Sequence, residues 1–222
     1  MAVGLTGLPA LLPVRGIRLG TVAAGIRRAE RRDLVLIECA EQTRAAAVFT
    51  QNRFCAAPVT IARAHLASAP PRALLINTGF ANAGTGAAGE ADARACCAAA
   101  AQALGCAPAA ILPFSTGVIG EPLPVARIVA GIPPAVAVLS ENGWADAAHG
   151  IMTTDTVAKG SSRQIQIGGV PVTIAAAAIE ALDATLKRLS DRRNTPERTR
   201  LALNSGFVAS AMVCAGDTLY SW

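Results

Sequence analysis

With 222 residues, of which 52% are hydrophobic and 16% charged, the chain can bury a sizeable core as one α/β domain, and this composition argues against intrinsic disorder outside the tail. Aromatic residues make up only 4% and leave few platforms for stacked bases, so nucleic acid is not an expected partner. The net charge of +5 draws on Arg27, Arg28, Arg31 and Arg32 near the start and on Lys187, Arg188, Arg192, Arg193, Arg198 and Arg200 near the end, and it reads as a solvated face or hairpin, with a phosphate-binding patch as the competing reading.

The first twenty residues lack a basic n-region and are broken by Pro9 and Pro13, which fits neither a signal peptide nor a membrane span and makes a cytoplasmic location the expectation. Asp33–Cys39 and Ala45–Thr50 are short apolar runs on either side of the polar turn Glu41-Gln42-Thr43, which predicts an antiparallel pair. Ala73–Asn77 reads as a buried strand. A Gly-rich loop follows, then a helix over 90–104 that Gly105 stops, with Pro108 beyond. Ile111–Phe114 is a further apolar run, and a helix is expected around 146–151. Gln164–Ile167 and Val170–Ile174 alternate about Gly168-Gly169, a pair whose tolerance of positive φ suits a two-residue hairpin turn.

Six cysteines, at 39, 55, 96, 97, 106 and 214, have neither CxxC spacing nor the density of a disulfide scaffold, and they read as reduced, buried thiols. Only His65 and His149 could join them, at no ligand spacing, so no metal is expected and both histidines read as structural. The loop from Asn77 to Gly86 offers backbone N–H groups and amide side chains where a helix begins. It is either an anion cradle or a tight connection, and it matches no P-loop or dinucleotide fingerprint. Ser115-Thr116-Gly117 would place a hydroxyl and an unhindered amide at the end of a strand, a pair able to donate to a developing oxyanion, although the same tripeptide is a common turn. Thr153, Thr154, Asp155 and Thr156 either hydrogen-bond a polar substrate or cap and turn the chain.

In order along the chain stand Ala-Gly-Ile-Arg (24–27), Ala-Val-Phe-Thr-Gln-Asn-Arg-Phe (47–54), Ala-Pro-Val (57–59), the loop 77–86, Ser-Thr-Gly-Val-Ile-Gly-Glu-Pro-Leu-Pro (115–124), Gly-Trp (143–144) and Ile-Met-Thr-Thr-Asp-Thr (151–156). Together these resemble the ornithine acetyltransferase / glutamate N-acetyltransferase family of arginine biosynthesis, over about residues 15–174. The resemblance implies an α/β fold, a layered αββα sandwich, in a precursor that cuts itself before a threonine. That threonine's hydroxyl is the nucleophile, and its new α-amine can act as base. The acetyl group passes from N-acetylornithine to glutamate, with acetyl-coenzyme A a possible donor and no resident cofactor. By position, Thr116 and Gly117 match the oxyanion hole, and Thr153, first of the Thr-Thr-Asp-Thr run, matches a substrate-binding threonine.

The likeness stops after Ile174. Residues 1–174 therefore read as the first-chain-like acetyltransferase domain, incomplete in its sandwich, and 175–222 as a divergent helical tail. The family's substrate-binding lysine and its Met-Ala-Thr-Met-Leu cleavage segment have no counterpart here. Ala184-Thr185-Leu186 echoes the scissile bond, but Ile179, Leu182, Leu186 and Leu189 recur at three and four residues, so Thr185 reads as a helix-face residue. The expectation is a chain inactive alone that needs a complementary second chain or homologous subunit and leaves apolar surface exposed for it. The alternative is a non-catalytic, shortened paralogue that binds an acetylated amino acid or a full-length partner. A self-cleaving aminopeptidase is disfavoured by the Thr-Thr-Asp-Thr run and the Asn-rich loop.

Overall fold

The structure, a computed structural model, describes residues 7–178 and 211–214. In chain order the elements are β1 (Ile17–Val22), β2 (Leu34–Cys39), β3 (Arg44–Ala47), α1 (Ala57–Ser68), β4 (Ala73–Phe80), α2 (Gly86–Leu104), β5 (Ile111–Val118), α3 (Val125–Ala137), α4 (Trp144–Gly150), β6 (Lys159–Ile167), β7 (Val170–Ala178) and β8 (Ala211–Cys214). The main sheet has the order β1-β2-β4-β5. Its first two pairings are antiparallel, and β4 and β5 run parallel because α2 carries the chain back across the sheet.

The apolar run Leu34-Val35-Leu36 is fully buried because β2 is a central strand covered on both faces. Leu34 and Leu36 join Leu75 and Ile111 beneath Cys97, Ala100 and Ala101 of α2 and Ile128 and Ile132 of α3. Val35 turns the other way and joins Leu19, Leu74, Ile76 and Leu112 beneath Ala147 and Ile151, against which Ala175 and Ala177 of β7 also pack. The result is helices on one face of the sheet and a short helix with a two-stranded ribbon on the other. This is the layered α/β architecture expected, carried here by a four-stranded and a two-stranded sheet.

The hairpin turn is as read from its two glycines: Gly168 and Gly169 both have positive φ, 58° and 82°. Gly105 closes α2 in the left-handed conformation at φ 65°, and its N–H reaches the Ala101 and Gln102 carbonyls. The pairing expected between 33–39 and 45–50 does not form. Both edges of β2 are taken, by β1 and β4, and β3 pairs instead with β8. Strands β4 and β5 run three and four residues beyond the apolar stretches that marked them, so Thr78, Gly79, Thr116 and Gly117 lie within the ladder. Helix α3 contains Pro133 and Pro134, both exposed. The helix expected on 179–189, with Thr185, lies outside the described residues, whereas 175–178 continue β7.

Candidate active site

Asp33 precedes β2 and is 2% exposed. Its Oδ1 accepts the Ala24 N–H at 2.7 Å and its Oδ2 accepts the Ile26 N–H at 2.6 Å. One buried carboxylate thereby fixes the loop leading out of β1, and Arg127 holds the same loop from outside through the Gly25 carbonyl at 2.7 Å. The arginines that follow are brought over the end of the main sheet. Arg27 is bound to Glu121 at 3.1 Å and lies 5.3 Å over the Phe80 ring. Arg31 donates to the carbonyls of Met152 and, at 3.4 Å, Thr153.

The parallel register sets Thr78 beside Thr116 and Gly79 beside Gly117. Strand alternation then puts the Thr78 and Thr116 side chains on the face that carries Ile76 and Phe114, the face covered by α4. The chain leaving α4 passes over that same face with Thr153 and Thr154. These threonines and Gly117, with Arg27, Arg28 and Arg31, line one cleft of about 420 Å³, within the range of small-molecule sites. Thr116 is 8% exposed, and Thr78, at 1%, has a buried hydroxyl with no hydrogen-bond partner.

Gly117 is shaped by its neighbour. Its φ is +136°, and a Cβ there would lie 2.3 Å from the Gly79 carbonyl carbon and 2.6 Å from the Phe80 nitrogen. The carbonyls of Ala110 and Val118 face β4, where they accept from Arg72 and Ala81, both at 2.8 Å, while that of Ile111 faces away to His65 Nδ1 at 2.7 Å. The two-residue alternation of β5 therefore turns the Gly117 N–H away from β4, toward the edge of the main sheet that no described strand occupies.

Thr116, Gly117 and Thr153, singled out in the sequence, thus meet in one cleft although the last lies far along the chain from the first two. Ser115 does not join them: its hydroxyl donates to Asn77 Oδ1 at 2.6 Å, and Asn77 donates to the Phe80 carbonyl at 2.9 Å. The rest of the Gly-rich loop is a connection. Asn82, fully buried at φ 47°, donates to the Gly89 carbonyl at 2.8 Å and accepts from Thr85 at 2.7 Å. Asp155 is paired with Lys159. The sequence reading missed Arg27, Arg28, Arg31, Asp33 and Thr78 as cleft residues. The four-arginine cluster was the available signal; of the four, Arg32, bound to Asp146 at 2.5 Å, lies outside the cleft.

His65 and His149 each bond a backbone carbonyl, Ile111 and Ala145, as structural histidines do. Cys39, Cys55, Cys96, Cys97 and Cys106 are free thiols. Burial, aided by Glu38, pushes Cys39 up to about 12; burial with Asp92 beside it does the same to Cys96, and burial with Cys96 beside it does so to Cys97. Such thiols are poor nucleophiles. Among the described residues there is no cluster of three or more His, Cys, Asp or Glu side chains able to hold a metal, and no helix long and apolar enough to cross a membrane.

A model of the ArgJ family matches residues 18–179. The arginine biosynthesis bifunctional protein ArgJ of Methylococcus capsulatus is 57% identical over 164 residues, 74% of this chain and 40% of that protein, so the chain spans two fifths of its relative's length. The crystal structure of the bifunctional protein argJ from Bacillus halodurans superposes with a TM-score of 0.68 at 31% identity, over 77% of this chain and 89% of that one. Ornithine acetyltransferase from Mycobacterium tuberculosis, complexed with ornithine, gives 0.67 at 34% identity, over 81% of this chain and 95% of that one.

Proposed function

The chain belongs to the ArgJ family, and on that premise we propose that it forms the oxyanion-binding part of an acetyltransferase that moves an acetyl group from N-acetylornithine to glutamate. The observation that carries the reading is the convergence of Thr116 and Gly117 with Thr153 in one cleft. Attack of a nucleophile on the acetyl carbonyl moves an electron pair onto its oxygen. The Thr116 hydroxyl and the outward Gly117 N–H are donors positioned in advance for that charge, and Thr153 holds the amino-acid portion of the substrate. Collapse of the adduct expels the α-amine of ornithine, which takes up the proton given up by the nucleophile's hydroxyl, and leaves an acetylated nucleophile, from which the amine of glutamate takes the acetyl group and returns a proton.

The nucleophile in this reading is a threonine supplied by a complementary segment, and the chain by itself does not turn over. Exposed Phe54, Val118 and Ile119, on loops and strand ends, are the apolar surface such a segment would cover. Acetyl-coenzyme A is a possible second donor, and the setting is biosynthetic and cytoplasmic. The test is acetyl transfer from N-acetylornithine to glutamate by the purified chain, alone and with the C-terminal part of a family relative, followed by intact mass. Activity appearing only in the mixture supports the reading. A chain that stays inert in both, while binding an acetylated amino acid or a full-length relative, would be the non-catalytic, shortened paralogue.

A further inference from the structure

Three arginines line the cleft, and two of them are already engaged. Arg27 is held by Glu121 and by the Phe80 ring, and Arg31 by the carbonyls before and at Thr153. Arg28 is exposed and lines the same cleft; its carbonyl accepts from the Arg31 N–H at 3.3 Å, but its guanidinium has neither a hydrogen bond nor an ion pair among the described residues. The carboxylate of Asp33, the one acid lining the cleft, is taken by the N–H groups of Ala24 and Ile26. Among the described residues, therefore, the Arg28 guanidinium stands at the cleft with no anion paired to it. The unpartnered Thr78 hydroxyl, buried beside Thr116, marks the same cavity as one whose polar groups are completed by an occupant.

We propose that Arg28 is the carboxylate-binding residue of this cleft, taking the carboxylate attached to the carbon that bears the acetylated nitrogen. The proposal rests on the acetyl-transfer reading above and adds what that reading lacks, a group that recognises donor and acceptor alike. Ornithine ends in an ammonium and glutamate in a carboxylate, so no fixed charge at the side-chain end suits both. The α-carboxylate is the anion they share, and a guanidinium fork matches it with two parallel N–H donors. It also lies next to the scissile amide, so anchoring it orients the acetyl carbonyl toward Thr116 and Gly117.

The test is ligand-observed NMR titration of the full chain with N-acetylornithine and with its carboxamide, for the wild type, Arg28→Gln and Arg28→Lys. The wild type is expected to bind the acid about tenfold or more tightly than the carboxamide, the factor a charge-assisted hydrogen bond supplies. Arg28→Gln is expected to lose that preference without weakening the carboxamide, and Arg28→Lys to recover part of it. Equal acid and carboxamide binding by the wild type, or an acid preference retained in Arg28→Gln, overturns the Arg28 assignment and leaves the acetyl-transfer reading intact. Binding of neither ligand overturns the reading and the subsite with it.

Discussion

Gly117 and Gly79 lie side by side on parallel strands so closely that a Cβ on Gly117 would meet the Gly79 carbonyl carbon at 2.3 Å. The obstacle is backbone, which cannot swing aside as a long side chain could, and φ at Gly117 is +136°. Gly117→Ala should therefore destabilise the chain by about 2 kcal/mol or more, a fall in melting temperature of about 4–8 °C. Gly120→Ala is the matched control, since Gly120 has φ +79° with nothing within 4 Å of its Cβ position, and it should lose about half as much. Equal melting temperatures for the two variants would contradict the close approach.

Asp33 fixes the loop that carries the cleft arginines by accepting from two backbone N–H groups. Asp33→Asn turns one acceptor into a donor facing an N–H, and the expected loss is about 2 kcal/mol in urea unfolding. Amide exchange at Ala24 and Ile26 should rise with it. Unchanged protection at those amides would mean that the loop holds its shape without the carboxylate.

Arg31 holds the backbone at Thr153, donating to the carbonyls of Met152 and Thr153. It is a positioning residue. Arg31→Met should weaken N-acetylornithine binding about tenfold, while Arg31→Lys, which keeps a charged donor, should restore part of the affinity. Comparison with the melting temperature separates positioning from folding: a large thermal loss with no selective loss of affinity would make Arg31 merely structural.

These sites show what the sequence made legible. Gly168-Gly169 and Gly105 could be read directly, because each conformation depends on a residue at its own position. The partner of β2 could not, since the nearby apolar run at 45–50 gave no sign that β1 and β4 fill both edges of that strand. Thr116, Gly117 and Thr153 were found through their motifs, whereas Asp33, Thr78 and the arginines carry no local signature. Only the register of β4 on β5 and the course of the chain after α4 bring them together. A run of arginines at 27–32 looks solvated until the fold shows that three of them border a cavity.

The buried thiols of Cys39, Cys96 and Cys97 bind their protons more tightly in the folded chain, with values raised from 9.0 to about 12. A raised value in the folded state contributes stability that is complete below pH 9 and is lost as pH rises from about 9 toward 12. Chemical unfolding followed over that range should show stability level up to about pH 9 and falling above it. At pH 8 an alkylating reagent should reach the half-buried Cys55 well before Cys39, Cys96 or Cys97. Rapid labelling of all four in the native chain would contradict the packing beneath α2 and at the end of β2.

The central claim is that Thr116 and Gly117 are aimed at the acetyl oxygen of a substrate held by Thr153. The most direct measurement is a crystal structure of the chain with N-acetylornithine bound. The account predicts the acetyl oxygen within hydrogen-bonding distance, about 2.7–3.1 Å, of the Thr116 hydroxyl and the Gly117 nitrogen, with Thr153 on the amino-acid portion. An acetyl oxygen directed away from both, or a ligand seated outside this cleft, would contradict it.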